Sequence, residues 1–145
     1  LKHFVFKSLG RRFEIDVIGA KKPMLLCIDC KHWHHGWAPS KVTRSARNQE
    51  ERVLSLSQLL GAGDARLPTA GWHLVRVLPI VMTLADVSPR LIEGVPIVSA
   101  LRFANFLSEI NPWVDQLRFL DVRVSQLTLP VHPCRGPISS IPTLP

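Results

Sequence analysis

Three carboxylates and a lysine alternate with apolar residues on two neighbouring stretches of the chain. Glu14 and Asp16 lie in the first stretch, and Asp29 and Lys31 lie in the second. Side chains two residues apart in a β-strand point to the same face, so each pair would share a face. Clustered carboxylates repel one another unless a cation lies between them. A divalent ion such as Mg²⁺, Mn²⁺ or Ca²⁺ is the natural candidate, because these ions prefer oxygen ligands.

A β-hairpin is expected to position these side chains. Two apolar runs, residues 13–19 and 24–33, flank a basic turn of sequence AKKP. This pattern is typical of two strands joined by a short turn. A turn centred near residues 21–22 places Asp16 opposite Cys27. Any pairing of the two strands that is shifted from this one by an even number of residues also brings the three acids and the lysine onto one face.

Asp29 is the most informative of the four residues. It lies in the otherwise apolar stretch MLLCIDC, residues 24–30, which predicts a central strand. Asp is disfavoured in strands, so its presence there calls for a functional reason. The alternative is that these acids form only the solvent-facing side of the hairpin and that the Asp-x-Lys spacing arose by chance.

Length and composition favour one soluble globular domain. The 145 residues are 46% hydrophobic and 20% charged, which is ordinary for a folded protein. The net charge of +7 favours a polyanionic partner. Three cysteines do not indicate a disulfide scaffold, so we expect a reducing, cytoplasmic location. No stretch approaches the ~20 apolar residues of a membrane span, and no signal peptide is visible.

The remaining pattern predicts alternating strands and helices. Strands are expected at 2–9, 72–84, 94–98 and 121–129, and a loop is expected at 34–39. Helices are expected from Ser40 to Leu60, at 100–110 and, as a short helix, from 111. The helix at 100–110 is expected to be buried through Leu101, Phe103, Phe106, Leu107 and Ile110. Ser40 and Ser99 are predicted to cap their helices. Pro96 predicts an edge position for its strand.

The first of these helices has an apolar stripe with one polar interruption. The stripe consists of Val42, Ala46, Val53, Leu56 and Leu60. Gln49 completes it, and a polar side chain there requires a hydrogen-bonding partner, because burial without one costs free energy. Basic residues crowd the first half of the same helix, at Lys41, Arg44, Arg47 and Arg52.

The chain resembles the core of the PD-(D/E)xK nuclease superfamily in the order of its elements. That order is a strand, a hairpin carrying Asp and then Asp-x-Lys, a helix and a strand. Within the superfamily, the chain looks similar to the archaeal Holliday-junction resolvases and restriction-endonuclease-like proteins. The matching residues are Asp16 and Asp29-Cys30-Lys31, and the resemblance covers roughly residues 2–84. Gln49 also matches, because several branches place a polar residue there, facing the active site.

The resemblance implies an α/β, restriction-endonuclease-like core with a central mixed sheet flanked by helices. We expect this nuclease-like domain at residues 1–127, followed by a Pro-rich tail or linker at 128–145. The superfamily usually has a further helix before the first strand, often with another acidic ligand. Because the chain starts with Leu1 almost at a strand, either such a helix lies upstream of Leu1 or the site is incomplete.

The resemblance also implies a metal-dependent DNA endonuclease that uses Mg²⁺ or Mn²⁺. Asp16, Asp29 and the backbone carbonyl of Cys30 would hold the metal, with Glu14 as an accessory ligand or a solvated acid. Lys31 would orient or help deprotonate the attacking water. Gln49 would position the lysine, the water or the phosphate.

DNA is the expected partner. Phosphate contacts are assigned to Arg11, Arg12, Lys41, Arg44 and Arg47, since such contacts supply the sequence-independent part of binding. Many proteins of this superfamily act as dimers, so the resemblance also allows a homodimer. The alternative function is a catalytically inactive nuclease-like module that binds nucleic acid or a protein partner.

Zinc or redox chemistry is a weaker interpretation. Cys27 and Cys30 form a C-x-x-C, but three residues apart on a strand their sulfurs would point to opposite faces. Buried, apolar cysteines are the simpler account. His32, His34 and His35 could bind zinc together with Cys30, although they are better explained as loop residues near the nucleic acid.

Overall fold

The computed structural model describes residues 1–32 and 38–124, and these residues form one mixed β-sheet with helices on both faces. The strands are β1 (Lys2–Ser8), β2 (Arg11–Lys21), β3 (Met24–Lys31), β4 (Leu74–Thr83), β5 (Leu91–Ile92), β6 (Val95–Ser99) and β7 (Leu120–Arg123). The α-helices are α1 (Pro39–Gly61) and α2 (Phe103–Ser108), and 3₁₀ turns span Ala100–Arg102 and Asn111–Gln116.

The sheet has the strand order β1-β2-β3-β4-β6-β5, and β7 pairs with β4 beside this path. Strands β1, β2 and β3 are antiparallel neighbours, whereas β4 runs parallel to both β3 and β6. A parallel pair needs a long crossover, and α1 supplies it between β3 and β4. The predicted α/β class with a mixed sheet and flanking helices is therefore confirmed.

The predicted hairpin is present, but its register differs from the expected one by two residues. Ile18, not Asp16, lies opposite Cys27. The pairing continues as far as Lys21 and Met24, so only two residues remain for the turn. The expected register was wrong because turn length sets the pairing, and the basic stretch does not reveal where the strands end.

The apolar stripe of α1 is buried as predicted, and it joins two parts of the sheet. Val42 and Ala46 pack near β4 and β6, while Val53, Leu56 and Leu60 pack over β1, β2 and β3. The predicted Ser40 cap is wrong, because Ala38 holds the cap position without a side-chain hydrogen bond. Pro39 starts the helix, where its missing N–H leaves no hydrogen bond unmade.

The second half of the chain corrects the prediction that Pro96 marks an edge strand. Strand β6 is not at the edge but lies between β4 and β5. Its pairing with β4 begins at Ile97, so Pro96 does not interrupt that ladder.

The helix expected at 100–110 is divided into a 3₁₀ turn and the short helix α2. Ser99 precedes the turn without a side-chain cap. Leu101 is 90% exposed and Leu107 is also exposed, so both were wrongly assigned to the core. The tighter 3₁₀ turn rotates Leu101 out of line with the apolar stripe.

The expected last strand is present as β7, which begins one residue earlier than predicted, at Leu120, and ends at Arg123. The expectations for the loop at 34–37, for the strand beyond 124 and for the tail at 128–145 lie outside the described residues. No helix among the described residues is both long enough and apolar enough to cross a lipid bilayer.

Candidate functional site

Asp29 lies at the centre of the candidate site because β3 carries it between two neighbouring strands. The residue is buried, with 4% of its surface exposed. Lys31 Nζ lies 2.8 Å from Asp29 Oδ2 and donates a hydrogen bond to Oδ1 at 3.1 Å. Arg52 Nη1, from α1, donates to the same Oδ1 at 2.8 Å. One buried carboxylate therefore has two cationic neighbours.

The second carboxylate oxygen, Asp29 Oδ2, receives no hydrogen bond from any described residue although it is buried. The Lys31 ammonium is close to it, but its hydrogen bond goes to Oδ1. Buried polar atoms are nearly always hydrogen-bonded, and here the Lys31 ammonium at 2.8 Å gives the oxygen a charged partner without a regular hydrogen bond. An anionic oxygen of this kind suits a hard divalent cation.

Gln49 holds the helix against the strand that carries Asp29. Its side chain is completely buried, and Nε2 donates to the Cys27 carbonyl oxygen at 2.8 Å. Gln49 Oε1 accepts from Arg52 Nη1 at 3.2 Å. The partner that the sequence required for Gln49 is therefore the backbone of β3 together with Arg52.

Arg52 is the residue of this site that the sequence argument missed. The sequence showed it only as one of several basic residues on the helix. A usable signal was its position three residues after Gln49, because residues three apart on a helix are neighbours on one face.

Asp16 and Glu14 belong to a second group, beside His3 of β1. The ligand atoms of these three side chains lie within 4.8 Å of one another. His3 Nδ1 lies 3.1 Å from Glu14 Oε1, and both side chains are largely exposed. Among the described residues this is the only such cluster, and Asp29 is not part of it. The expectation of one continuous acidic face is therefore wrong.

The division arises from an irregularity in β2. Phe13, Ile15 and Ile18 all pack in the core beside α1, so strict alternation fails between Ile15 and Ile18. The regular pairing of β2 with β3 also extends only as far as Val17. At this point Asp16 Oδ2 accepts the backbone N–H of Cys30 at 2.7 Å, which ties Asp16 to the residue after Asp29.

Cys30 lies between the two groups. Burial raises the pKa of its thiol, and the carboxylates of Asp16 and Asp29 raise that pKa further, while Lys31 lowers it. Both carboxylates therefore act on the same sulfur. Burial also raises the pKa of the Cys27 thiol, which lies in the core beside α1. Cys30 packs against the core on the opposite face, so the two sulfurs are not placed to chelate one ion.

The basic residues predicted to contact phosphate differ in their availability. Arg11 pairs with Glu51, and Arg47 pairs with Glu93 at 2.6 Å. All four of these side chains are about half exposed or more, so both pairs are screened by solvent and are weak. The exposed residues Arg12, Lys41 and Arg44 form no ion pair with a described residue.

Comparisons with known proteins identify a relative but no activity. A protein of Archaeoglobus fulgidus, described only as an uncharacterized protein, is 29% identical to this chain over 118 residues. The matched region covers 81% of this chain and 81% of that relative. No protein-family model matches the chain, and no solved structure matches it.

Replacing Gln49 with Leu tests whether this residue supports the site from within the core. The substitution is expected to lower the free energy of unfolding by about 1–3 kcal/mol, because Cys27 O and Arg52 each lose a buried partner. Urea unfolding followed by circular dichroism gives this value. The exposed neighbour provides the control, since Asn48→Leu should change stability by no more than about 0.5 kcal/mol. Equal effects of the two substitutions would contradict the assigned role.

The Cys30 thiol reports whether both carboxylates lie near it. Asp16→Asn and Asp29→Asn should each lower its pKa, because removing a nearby negative charge favours the thiolate. The pH dependence of alkylation, followed by mass spectrometry of the Cys30 peptide, measures this shift. Glu109→Gln removes an exposed acid elsewhere and should leave the profile unchanged. A profile that neither Asn substitution moves would show that the two carboxylates are not arranged around Cys30.

Proposed function

We propose that this protein is a metal-dependent DNA endonuclease that hydrolyses phosphodiester bonds. The observation that carries the proposal is Asp29, a buried carboxylate whose Oδ2 is paired with Lys31 Nζ at 2.8 Å but accepts no hydrogen bond of regular geometry from a described residue. The Asp-x-Lys spacing places the Lys31 ammonium directly against it. Asp16 is anchored to the intervening residue through the Cys30 N–H.

The architecture is compatible with this proposal. A mixed sheet contains the antiparallel hairpin β2–β3, and the crossover helix α1 leads to the parallel strand β4. Assigning the fold specifically to the restriction-endonuclease-like class is part of the proposal. Its support is the resemblance in motif and in the order of elements, together with the position of Asp29 and Lys31 near the end of β3.

The donor types of these residues suit a magnesium or manganese ion, although Asp16 is grouped with His3 and Glu14 and not with Asp29. Asp29 Oδ2, Asp16 and the carbonyl of Cys30 would hold it, and oxygen donors of this kind match the preference of these ions. Once bound, such an ion polarises a phosphoryl oxygen and lowers the pKa of bound water. Glu14 is an accessory at most, because its carboxylate pairs with His3 on the exposed side of the hairpin.

Lys31 is suited to act on the substrate or on the attacking water. Its ammonium contacts the buried Asp29 while its side chain is 29% exposed, so Lys31 is accessible from solvent. A cation held in this way stabilises negative charge that develops on the phosphoryl oxygens. Gln49 contacts Arg52 and the β3 backbone, so we assign it a positioning role rather than contact with the reacting atoms.

The exposed basic residues supply the proposed DNA contacts. Arg12, Lys41 and Arg44 form no ion pair with a described residue, and the surface ion pairs of Arg11 and Arg47 are weak enough to exchange for phosphates. Neutralising phosphates releases counterions, so binding should weaken steeply as salt is raised. The net charge of +7 acts in the same direction.

A second candidate function is a catalytically inactive module that binds DNA. The observation that favours it is the double pairing of Asp29, because Lys31 and Arg52 already neutralise the carboxylate without a metal. In this case the same basic surface would bind nucleic acid, and the Arg52–Asp29 pair would serve only to join α1 to the sheet.

Cleavage of supercoiled plasmid and of branched DNA with Mg²⁺ or Mn²⁺ separates the two candidates. Asp29→Asn and Lys31→Met should each lower the rate by about 100-fold or more, the range seen when one transition-state-stabilising group is removed. Chelation of the metal should abolish cleavage. Asp115→Asn makes the same charge change as Asp29→Asn at an exposed site and should retain the wild-type rate.

Two outcomes would decide against the proposal. Wild-type cleavage that survives both site substitutions would refute the assignment of Asp29 and Lys31. No cleavage by the wild type, combined with salt-dependent DNA binding in Ca²⁺, would establish the inactive module instead.

A further inference from the structure

We propose that Arg52 takes the place of a divalent cation at Asp29 and thereby sets the affinity of the site for metal. In the metal-free protein, the guanidinium neutralises the buried carboxylate. When a divalent ion binds, the Arg52–Asp29 ion pair weakens and part of that neutralisation passes to the ion. The inference rests on the proposed metal site, and it adds a regulating residue that the Asp-x-Lys motif does not contain.

The charge arrangement supplies the first argument. The side chain of Asp29 is only 5% exposed, and such a carboxylate requires a cationic or hydrogen-bonding partner. Arg52 Nη1 lies 2.8 Å from Oδ1 and Lys31 Nζ lies 2.8 Å from Oδ2. The carboxylate thus has one more cationic neighbour than its charge requires. This excess of positive charge opposes the approach of a divalent ion, because like charges repel most strongly where water is excluded.

The hydrogen bonds of Arg52 supply the second argument. The group that contacts Asp29, Nη1, also donates to Gln49 Oε1 at 3.2 Å. Arg52 would therefore keep a buried acceptor if its bond to Asp29 were lost. Its Nε and Nη2 groups donate to no described residue. The side chain is 25% exposed, so these remaining donors can reach solvent or an anion.

A purely structural role makes a different prediction. If Arg52 only joins α1 to β3, its removal destabilises the fold to the same extent with or without metal. If Arg52 substitutes for the metal, its removal destabilises the metal-free protein most, and metal restores the loss. Binding linkage requires that the same substitution then tightens metal binding.

The test measures Mn²⁺ binding by isothermal titration calorimetry and the Mn²⁺-induced change in Tm, without DNA. Relative to wild type, R52Q should bind Mn²⁺ on the order of tenfold more tightly, within the usual range of coupling between two sites. Its rise in Tm on Mn²⁺ saturation should also be larger. R52K retains the positive charge and should stay closer to wild type. R102Q removes an arginine that pairs with the exposed Asp86 and should match wild type.

A D29N background provides the internal check. With the carboxylate removed, R52Q should no longer alter either Mn²⁺ affinity or the metal-induced change in Tm. If R52Q alone fails to fold without metal, Mn²⁺ should restore its folding. Failure of Mn²⁺ to restore it would overturn the inference.

The remaining outcomes separate this inference from the proposed function. Equal Mn²⁺ affinity of R52Q and wild type would overturn the inference and leave Arg52 as a structural link. Absence of Mn²⁺ binding by every variant would overturn both. Tighter binding by R52Q, together with no DNA cleavage by the wild type, would support the inference and contradict only the nuclease assignment.

Discussion

The buried ion pairs of Asp29 with Lys31 and Arg52 are the interaction on which the candidate site depends. The Arg52–Asp29 pair joins the inner strand β3 to the crossover helix α1, and Gln49 reinforces the same junction, whereas the Lys31–Asp29 pair lies within β3. Removing one partner of a buried ion pair typically costs about 3–5 kcal/mol, whereas replacing the whole pair by apolar residues is often neutral. Stability alone therefore does not explain an aspartate at this position, which favours a role in binding or catalysis.

The position of Asp29 was accessible from the sequence, but its partners were not. The apolar run around Asp29 predicted a central strand, and the helical period of the apolar stripe predicted that Gln49 would face inward. Arg52 could not be paired with Asp29 in this way, because that contact depends on how α1 crosses the sheet. The hairpin register was missed by two residues, since it depends on the exact length of the turn.

The grouping of Glu14 and Asp16 with His3 has a similar origin. It follows from the pairing of β1 with β2 and from the irregular alternation of β2, and neither is visible in the acidic pattern itself. Asp16 nevertheless remains connected to Asp29, because it accepts the Cys30 N–H and both carboxylates raise the pKa of the Cys30 thiol. Under the proposed function, the candidate metal ligands are therefore atoms around Cys30, with Glu14 at the exposed side.

The central claim is that Asp29 provides a metal ligand rather than only an anchor for two cations. A crystal structure with Mn²⁺, solved using the anomalous signal of the ion, tests it most directly. A bound Mn²⁺ should give an anomalous peak within bonding distance of Asp29 Oδ2, with Arg52 drawn away from Oδ1. A peak bound only to His3, Glu14 and Asp16, or no peak at saturating Mn²⁺ with Arg52 still on Asp29, would contradict it.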